Sequence, residues 1–333
     1  MRPISILLAG SLLLPAPRAF ADDCDGDPDK ILELPATAAR GETILVSLHG
    51  PAGEMGLFLA STGEGPTPTK YGTLCLDLPA FFTLPFRFDE NGEFSFEVDI
   101  PCDVEIIGVT VYAQFLTCNK PNRGVSNQVA ITFTDGLCVG DMVTYTPGGW
   151  GVECHGHNAG CLLEEWFDVL FPEGITLGDQ DGADGDDEYS LHFTSAAAVT
   201  AFLPAGGKPD LLTEDATDPT DSSAGEFAGA LLAAKINVAM DEAGFFDDLK
   251  ERDDLQLLDL IFDNGVNVDL IGLSVREVID ICDLAISGAL GDGDLDIDGD
   301  GDPDSTLSDL ASSLSGLNEN FDNGGVNLGK LRL

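Results

Sequence analysis

A regular alternation of aspartates near the end of the chain is the feature with the clearest chemistry. Between Gly291 and Asp304, seven carboxylates occupy every second position, and neither Lys nor Arg lies among them. We call residues 292–304 the aspartate ladder. Such a run repels itself unless a cation binds, and Ca²⁺ prefers a shell of several oxygen ligands. The spacing therefore predicts a calcium site with the ligands Asp294, Asp296, Asp298, Asp300, Asp302 and Asp304.

Two known calcium loops offer templates for the ladder. An EF-hand loop that begins at Asp294 fits only in part, because its last position is Ser305 where a bidentate Glu is needed. Residues 296–304 resemble the thrombospondin type 3 repeat, a calcium-binding repeat of secreted proteins. Because the missing Glu is the ligand that drives helix reorientation in an EF-hand, we expect a structural site instead of a sensor. The alternative that stays open is an acidic loop without order.

A second acidic run covers residues 179–188. On the expected order of elements it connects two helices. Its carboxylates are less regularly spaced than those of the ladder, so calcium binding and a plain acidic loop are equal alternatives.

Cys154-His155-Gly156-His157, with Cys161 close behind, is a cluster of potential metal ligands. Alternation places both histidines on one side of the backbone. Zinc would need free thiolates, whereas cysteines of a secreted chain are usually oxidised. A loop closed by a Cys154–Cys161 disulfide is therefore favoured, and a zinc or copper site is the alternative.

Neighbouring residues have both a functional and a structural interpretation. Trp150 could stack on a sugar ring, but a core position is favoured because aromatic side chains dominate protein cores. Glu164 and Glu165 are adjacent on a predicted helix, which favours an exposed capping-turn role over a glycosidase pair. The chain has no G-x-S-x-G, H-E-x-x-H, P-loop or G-x-G-x-x-G motif.

The N-terminal residues have the pattern of a secretory signal peptide. Arg2 precedes an apolar run at residues 4–14, and Ala19 and Ala21 suit signal peptidase. We expect residues 1–21 to be removed. The apolar run is too short to span a bilayer, and the sequence predicts no later membrane span.

Eight cysteines follow the predicted signal peptide. An even number in this context predicts disulfides and an extracellular location. The expected pairs are Cys24–Cys75, Cys102–Cys118, Cys138–Cys282 and Cys154–Cys161.

The composition is strongly acidic, with 59 Asp and Glu against 15 Lys and Arg. Loss of Arg2 and Arg18 with the signal peptide would change the formal net charge from −44 to −46. Such a chain repels nucleic acid and anionic membrane surfaces. Solubility in saline surroundings and bound cations explain this charge most simply, and a cationic partner is the alternative.

Hydrophobic periodicity divides the mature chain into two domains. Residues 22–136 alternate apolar and polar side chains, which predicts an antiparallel β-sandwich with a hairpin turn at residues 89–92. Residues 137–333 have helical spacing, so we predict a mostly α-helical domain with the acidic runs as insertions. The predicted N-caps are Thr194, Ser223, Ser274 and Thr306, and the last three begin capping boxes.

Three segments of the second domain resemble a module of secreted bacterial proteins of unknown function. They are Gly148-Gly149-Trp150-Gly151, residues 202–207 and residues 317–324. The likeness extends over most of residues 143–329. The first domain, at Ile100-Pro101 and residues 107–114, is similar to a β-sandwich domain of secreted proteins from environmental bacteria. Both resemblances imply secretion and two domains, and neither implies an activity or a ligand.

These patterns predict a secreted, calcium- and disulfide-stabilised binding or structural protein of the cell surface or extracellular matrix. Its expected partner is a glycan or another protein, and its expected contact surface is an edge strand or loop end of the sandwich. The alternative is a secreted hydrolase with a site near Trp150, His155 and His157. No catalytic residue is assigned from the sequence.

Overall fold

The computed structural model describes residues 4–5, 26–178, 188–263, 267–290, 295 and 305–333. The chain divides into two units, Met1–Gly136 and Leu137–Leu333. The predicted signal peptide lies outside the described residues, except for a two-residue strand at Ile4–Ser5. None of the described helices combines the length and the apolar character needed to cross a membrane.

The first unit is built from short strands, as its alternating sequence predicts. Its twelve described strands are β1 Ile4–Ser5, β2 Ile31–Glu33, β3 Thr37–Ala39, β4 Thr43–His49, β5 Met55–Ser61, β6 Glu64–Thr69, β7 Gly72–Leu76, β8 Phe82–Arg87, β9 Glu93–Asp99, β10 Thr110–Thr117, β11 Gly124–Val125 and β12 Val129–Thr134.

Two sheets of this unit share one apolar core. One has the order β1–β9–β4–β2, and the other has the order β3–β12–β10–β5–β8 with β11 beside β10. Val46 and Phe96 from the first sheet join Phe58 and Phe115 from the second in a single buried cluster. Neighbouring strands in these sheets are antiparallel, apart from the parallel pairs β1–β9 and β3–β12. The strands β6 and β7 form a separate two-stranded hairpin.

The β-hairpin predicted around residues 89–92 is wrong, although a turn is present there. β8 pairs with β5 and β9 pairs with β4, so the turn connects the two sheets. Asp89 Oδ1 accepts hydrogen bonds from the amides of Asn91 and Glu93, and Gly92 supplies a φ of +81°. The local sequence specifies the turn, whereas long-range packing selects the partner strand.

The second unit contains the α-helices described in this chain, together with five short strands. The helices are α1 Pro147–Trp150, α2 Ala159–Leu170, α3 Ala196–Phe202, α4 Glu226–Glu242, α5 Val275–Ser287 and α6 Leu307–Asn320. The strands are β13 Ile175–Leu177, β14 Leu191–Phe193, β15 Ala216–Thr217, β16 Ile261–Phe262 and β17 Leu331–Arg332.

Helix α4 lies at the centre of this unit. Its apolar side chains surround the helix instead of forming one stripe, and Phe227, Leu231, Ile236 and Met240 are all fully buried. α5 and α6 pack against it. β13, β14 and β15 form a small sheet in which β13–β14 is antiparallel and β14–β15 is parallel.

Two of the predicted helix starts are confirmed in detail. Ser274 and Thr306 form capping boxes in which Glu277 and Asp309 accept from the N-cap amides. Reciprocal bonds of this kind satisfy amides that the first turn leaves unpaired.

The other two predicted N-caps are wrong. α4 begins after Gly225, at a φ of +55°, and the Ser223 hydroxyl donates to the Leu211 carbonyl oxygen instead. α3 is capped by Ser195, which accepts from the Ala198 amide, and not by Thr194. A capping motif in the sequence therefore marks a helix start only to within a few residues.

Candidate functional site

The loop before α2 is closed by a disulfide between Cys154 and Cys161, which confirms that predicted pair; the Cα atoms lie 4.2 Å apart. Asn158 is the N-cap of α2. Its Oδ1 accepts from the amides of Cys161 at 3.1 Å and His155 at 3.2 Å. Its Nδ2 donates to the Glu153 carbonyl oxygen at 2.8 Å. One covalent bond and three hydrogen bonds therefore fix this backbone, which we call the disulfide loop, residues 153–161.

Two grooves border the disulfide loop. The first has a volume of about 570 Å³ and is lined by Cys154, Gly156, His157, Asn158, Cys161, Leu162, Glu164 and Glu165. The second has a volume of about 670 Å³ and is lined by Gly151, Glu153, Cys154, Gly160, Glu164, Ala196, Ala197, Thr200 and Ala201. Because Cys154 and Glu164 belong to both linings, the grooves meet at the disulfide.

Carboxylates dominate the polar part of this lining. Glu153, Glu164 and Glu165 are exposed, and an ionised carboxylate only accepts hydrogen bonds. The small side chains of α3, such as Ala197 and Ala201, give the second groove an apolar floor. The lining therefore suits a ligand that donates hydrogen bonds from hydroxyl or amide groups and has an apolar face.

The capping-turn role expected for Glu164 and Glu165 is wrong. α2 begins at Ala159, and its first turn contains no acidic residue. The two glutamates lie within the helix and both line the first groove. That both glutamates line a groove could not be predicted from their adjacency in sequence. The groove exists only because the disulfide loop folds back beside the helix.

Trp150 is a core residue, as the favoured interpretation has it. The side chain is fully buried, and its Nε1 donates to Asn237 Oδ1 at 3.1 Å. Tyr145 packs edge-to-face on the indole with ring centres 5.1 Å apart. Asn237 Nδ2 also donates to the Tyr145 carbonyl oxygen and to Asn318 Oδ1. Trp150 therefore positions the start of the disulfide loop from beneath and offers no surface to a sugar.

The two histidines of the loop are both exposed but differ in position. His157 lines the first groove, and His155 is not part of either lining. The thiols of Cys154 and Cys161 are consumed by the disulfide, so the metal alternative that used them is wrong. Within the described ranges, no three His, Cys, Asp or Glu side chains are grouped so as to hold a metal ion.

Two of the other expected cysteine pairs are wrong. Cys118 and Cys282 carry free thiols, which rules out Cys102–Cys118 and Cys138–Cys282. Cys282 is enclosed within α5, where burial raises the pKa of its thiol well above the ordinary value. Cys24 lies outside the described residues. Three further cysteines are disulfide-bonded, namely Cys75, Cys102 and Cys138.

The predicted calcium ligands Asp294, Asp296, Asp298, Asp300, Asp302 and Asp304 lie outside the described residues. Leu295 and Ser305 are described, and they form an antiparallel bridge with N···O distances of 2.7 and 3.1 Å. Leu295 is fully buried, and Asn267 Nδ2 donates to Ser305 Oγ at 2.5 Å. The two residues that flank segment 296–304 are therefore paired with each other, immediately before the Thr306 cap of α6.

Residues 179–187 of the second acidic run also lie outside the described residues. The run connects the antiparallel strands β13 and β14, so the expectation that it joins two helices is wrong. Beside it, the Gly178 amide donates to Asp283 Oδ1 at 3.1 Å, and Asp283 pairs with Lys235. Burial raises the pKa of Asp283 in spite of this cation.

No protein-family model matches the chain, and no curated protein matches it either. Among solved structures, it is similar to the PKD domain of an M14-like peptidase from Thermoplasmatales archaeon SCGC AB-540-F20. That match has 14% identity and a TM-score of 0.20, and covers 32% of this chain and 93% of that one. The superoxide reductase (neelaredoxin) from Ignicoccus hospitalis matches with 11% identity and a TM-score of 0.20, covering 32% of this chain and 82% of that one. Likeness at this TM-score carries no argument about function.

Proposed function

We propose that the protein is secreted and acts as a calcium- and disulfide-stabilised binding or structural protein of the cell surface or extracellular matrix. In this proposal it contacts a glycan or another protein through the two grooves at the disulfide loop. The observation that carries the proposal is the shared wall of these grooves, which a disulfide and the Asn158 hydrogen bonds hold in place. A wall fixed before binding reduces the ordering cost of association.

The lining supports a glycan or a polypeptide as the ligand. The carboxylates of Glu153, Glu164 and Glu165 would accept from hydroxyl or amide groups, and the alanines of α3 would contact an apolar face. An anionic partner such as nucleic acid is disfavoured by these carboxylates and by the net charge of −44.

The extracellular location is supported by the disulfides, which persist in oxidising compartments, and by the signal-peptide pattern of residues 1–21. In the same proposal the two sheets of the first unit are an antiparallel β-sandwich domain that precedes the α-rich domain.

Calcium is proposed as the stabilising ion of the aspartate ladder. The support is the alternation of carboxylates in the sequence, together with the Leu295–Ser305 bridge, which pairs the residues on either side of segment 296–304. A cation that neutralises these carboxylates would stabilise the folded state by mass action.

The hydrolase alternative has one observation in its favour, because His157 lies in the same groove as Glu164 and Glu165. A binding role is preferred, since two of the three residues expected at the hydrolase site do not meet there: Trp150 is buried in the core, and His155 is part of neither lining. A hydrolase panel on the wild type and on His155→Ala with His157→Ala separates the two. Hydrolysis that the double variant abolishes would support the enzyme.

The binding proposal is tested on an array of immobilised glycans and matrix proteins in calcium-containing buffer. We expect the wild type to bind members of the array and Glu164→Gln with Glu165→Gln to bind them about ten-fold or more weakly, because charge-assisted hydrogen bonds are lost. Asp168→Asn with Glu173→Gln makes the same charge change at exposed positions outside both linings, and should bind like the wild type. Undiminished binding by the groove variant, or no binding to any member, contradicts the proposal.

A further inference from the structure

A further polar pocket lies on the outer face of the small sheet of the second unit. It has a volume of about 220 Å³ and is lined by Ser190, His192, Asp215, Ala216 and Thr217. In β14, Leu191 and Phe193 point into the core, so Ser190 and His192 point outward. Parallel pairing of His192 with Thr217 brings the segment 215–217 beside them.

Asp215 is held in a fixed orientation in this pocket. Its Oδ1 accepts from both the amide of Ser190, at 2.8 Å, and the hydroxyl of Ser190, at 3.1 Å. Among the described residues, none donates to its Oδ2. One carboxylate oxygen is thus used to position the side chain, and the other remains as an acceptor at the pocket.

His192 is positioned with similar precision. Its Nδ1 lies 3.0 Å from Thr176 Oγ1. The ring rests on Gly174, where a Cβ would come within 2.7 Å of Cε1 and 2.9 Å of Nε2. Nothing in the described part of the chain hydrogen-bonds Nε2. The Asp218 carboxylate, whose pKa is lowered by hydrogen bonds from Thr194, lies close enough to His192 to add negative charge.

A serine, a histidine and an aspartate in one pocket raise the question of a catalytic triad. Nucleophilic catalysis requires the serine hydroxyl to be hydrogen-bonded to the histidine base. Here the Ser190 hydroxyl donates to Asp215, and the His192 Nδ1 faces Thr176. The arrangement therefore does not activate Ser190, while Asp215 Oδ2 and His192 Nε2 receive no hydrogen bond from the described residues.

We propose that this pocket binds one neutral sugar unit through two of its hydroxyl groups. One hydroxyl donates to Asp215 Oδ2, and a neighbouring hydroxyl bonds His192 Nε2, which donates or accepts according to the tautomer of the ring. A volume of about 220 Å³ is below that of drug-sized sites and suits a single ring. Asp215 and Asp218 disfavour anionic sugars. The site shares no lining residue with the grooves at the disulfide loop, so it stands independently of them.

The test is a titration of the full chain with methyl glycosides of neutral hexoses, followed by ligand-observed NMR and calorimetry. We expect millimolar binding of at least one glycoside. Asp215→Asn keeps an Oδ1 that accepts from Ser190 and replaces Oδ2 by a donor. His192→Phe keeps a ring over Gly174 and removes Nε2. Each should weaken binding about ten-fold or more.

Asp210→Asn is the matched control, because Asp210 is exposed and, among the described residues, accepts only a local bond from the Leu211 amide. This variant should bind like the wild type. Thermal melting of Asp215→Asn shows whether the variant folds. Absence of binding by every glycoside, or unchanged binding by a folded Asp215→Asn, overturns the proposal. Loss of glycoside binding in Glu164→Gln with Glu165→Gln, but not in Asp215→Asn, assigns the sugar to the disulfide-loop grooves and also overturns it.

Discussion

At the level of single residues, a few polar side chains determine the shape of the surface beside α2. Asn158 makes three hydrogen bonds at the start of the helix, and Asn237 accepts from the Trp150 indole below the same loop. Each amide satisfies backbone or indole groups that would otherwise be unpaired. The loop is therefore held from its outer side by the disulfide and from its inner side by the core.

Removing the disulfide tests whether the loop must be held for binding. Cys154→Ala with Cys161→Ala should lower the free energy of unfolding by about 2 kcal/mol, because closing a short loop restricts the unfolded chain. Binding on the array should weaken as well, since the shared wall of the grooves becomes mobile. Urea unfolding and the array measure the two effects. The control is Cys118→Ser, which removes a free thiol and no cross-link. If the double variant bound as well as Cys118→Ser, the groove wall would not need to be preformed for binding.

The buried indole gives a prediction in which stability and binding separate. Trp150→Phe removes the bond to Asn237 and leaves a cavity, so the free energy of unfolding should fall by about 2 kcal/mol. Ligand binding should change little, because the side chain does not reach the surface. Trp166→Phe, at a half-buried ring stacked on Phe245, should cost less. A large loss of binding with unchanged stability would place Trp150 in the binding site after all.

At the level of elements, local chemistry specified two helix starts and one turn correctly, and long-range packing decided the rest. The boxes at Ser274 and Thr306 could be read directly, because a capping box lies within one turn of chain. The partner strand of β9 could not be predicted from sequence. A turn at Asp89 can connect two paired strands of a hairpin, or it can connect strands of two different sheets. The same limit hid the pocket of His192, whose Thr176, Ser190 and Asp215 are far apart in sequence.

The capping box of α5 predicts a specific pH dependence. Hydrogen bonds from the Ser274 amide and hydroxyl lower the pKa of Glu277 below its ordinary value of 4.5. Its contribution to stability is therefore fully present above pH 4.5 and is lost as the pH falls through the lowered pKa. Glu277→Gln should show a shallower loss of stability below pH 4.5 than the wild type, in urea unfolding at a series of pH values. Glu173→Gln, at an exposed glutamate between α2 and β13, should lose stability with falling pH as the wild type does. Identical pH profiles for Glu277→Gln and the wild type would contradict the role of the capping box.

At the level of the whole molecule, the proposed Ca²⁺ ion would offset part of the repulsion that the acidic composition creates. A chain with a formal net charge of −44 repels itself when folded. The aspartate ladder contributes seven carboxylates within 13 residues. The residues on either side of its segment 296–304 are paired in the Leu295–Ser305 bridge beside α6. The alternation of carboxylates could be recognised from sequence alone, whereas the bridge could not, because it depends on burial of Leu295 in the core. Bound Ca²⁺ would turn this strongly repulsive segment into a link between α5 and α6.

The most direct measurement is the thermal midpoint of the full chain in excess Ca²⁺ and in EDTA. At a concentration about 100-fold above the dissociation constant, Ca²⁺ should contribute about 2.7 kcal/mol and raise the midpoint by about 5–10 °C. Asp298→Asn with Asp300→Asn should lose most of this shift, whereas Asp210→Asn with Asp221→Asn, the same charge change at exposed positions away from the ladder, should keep it. A wild-type midpoint that is the same in Ca²⁺ and in EDTA would contradict the calcium-stabilised protein proposed here.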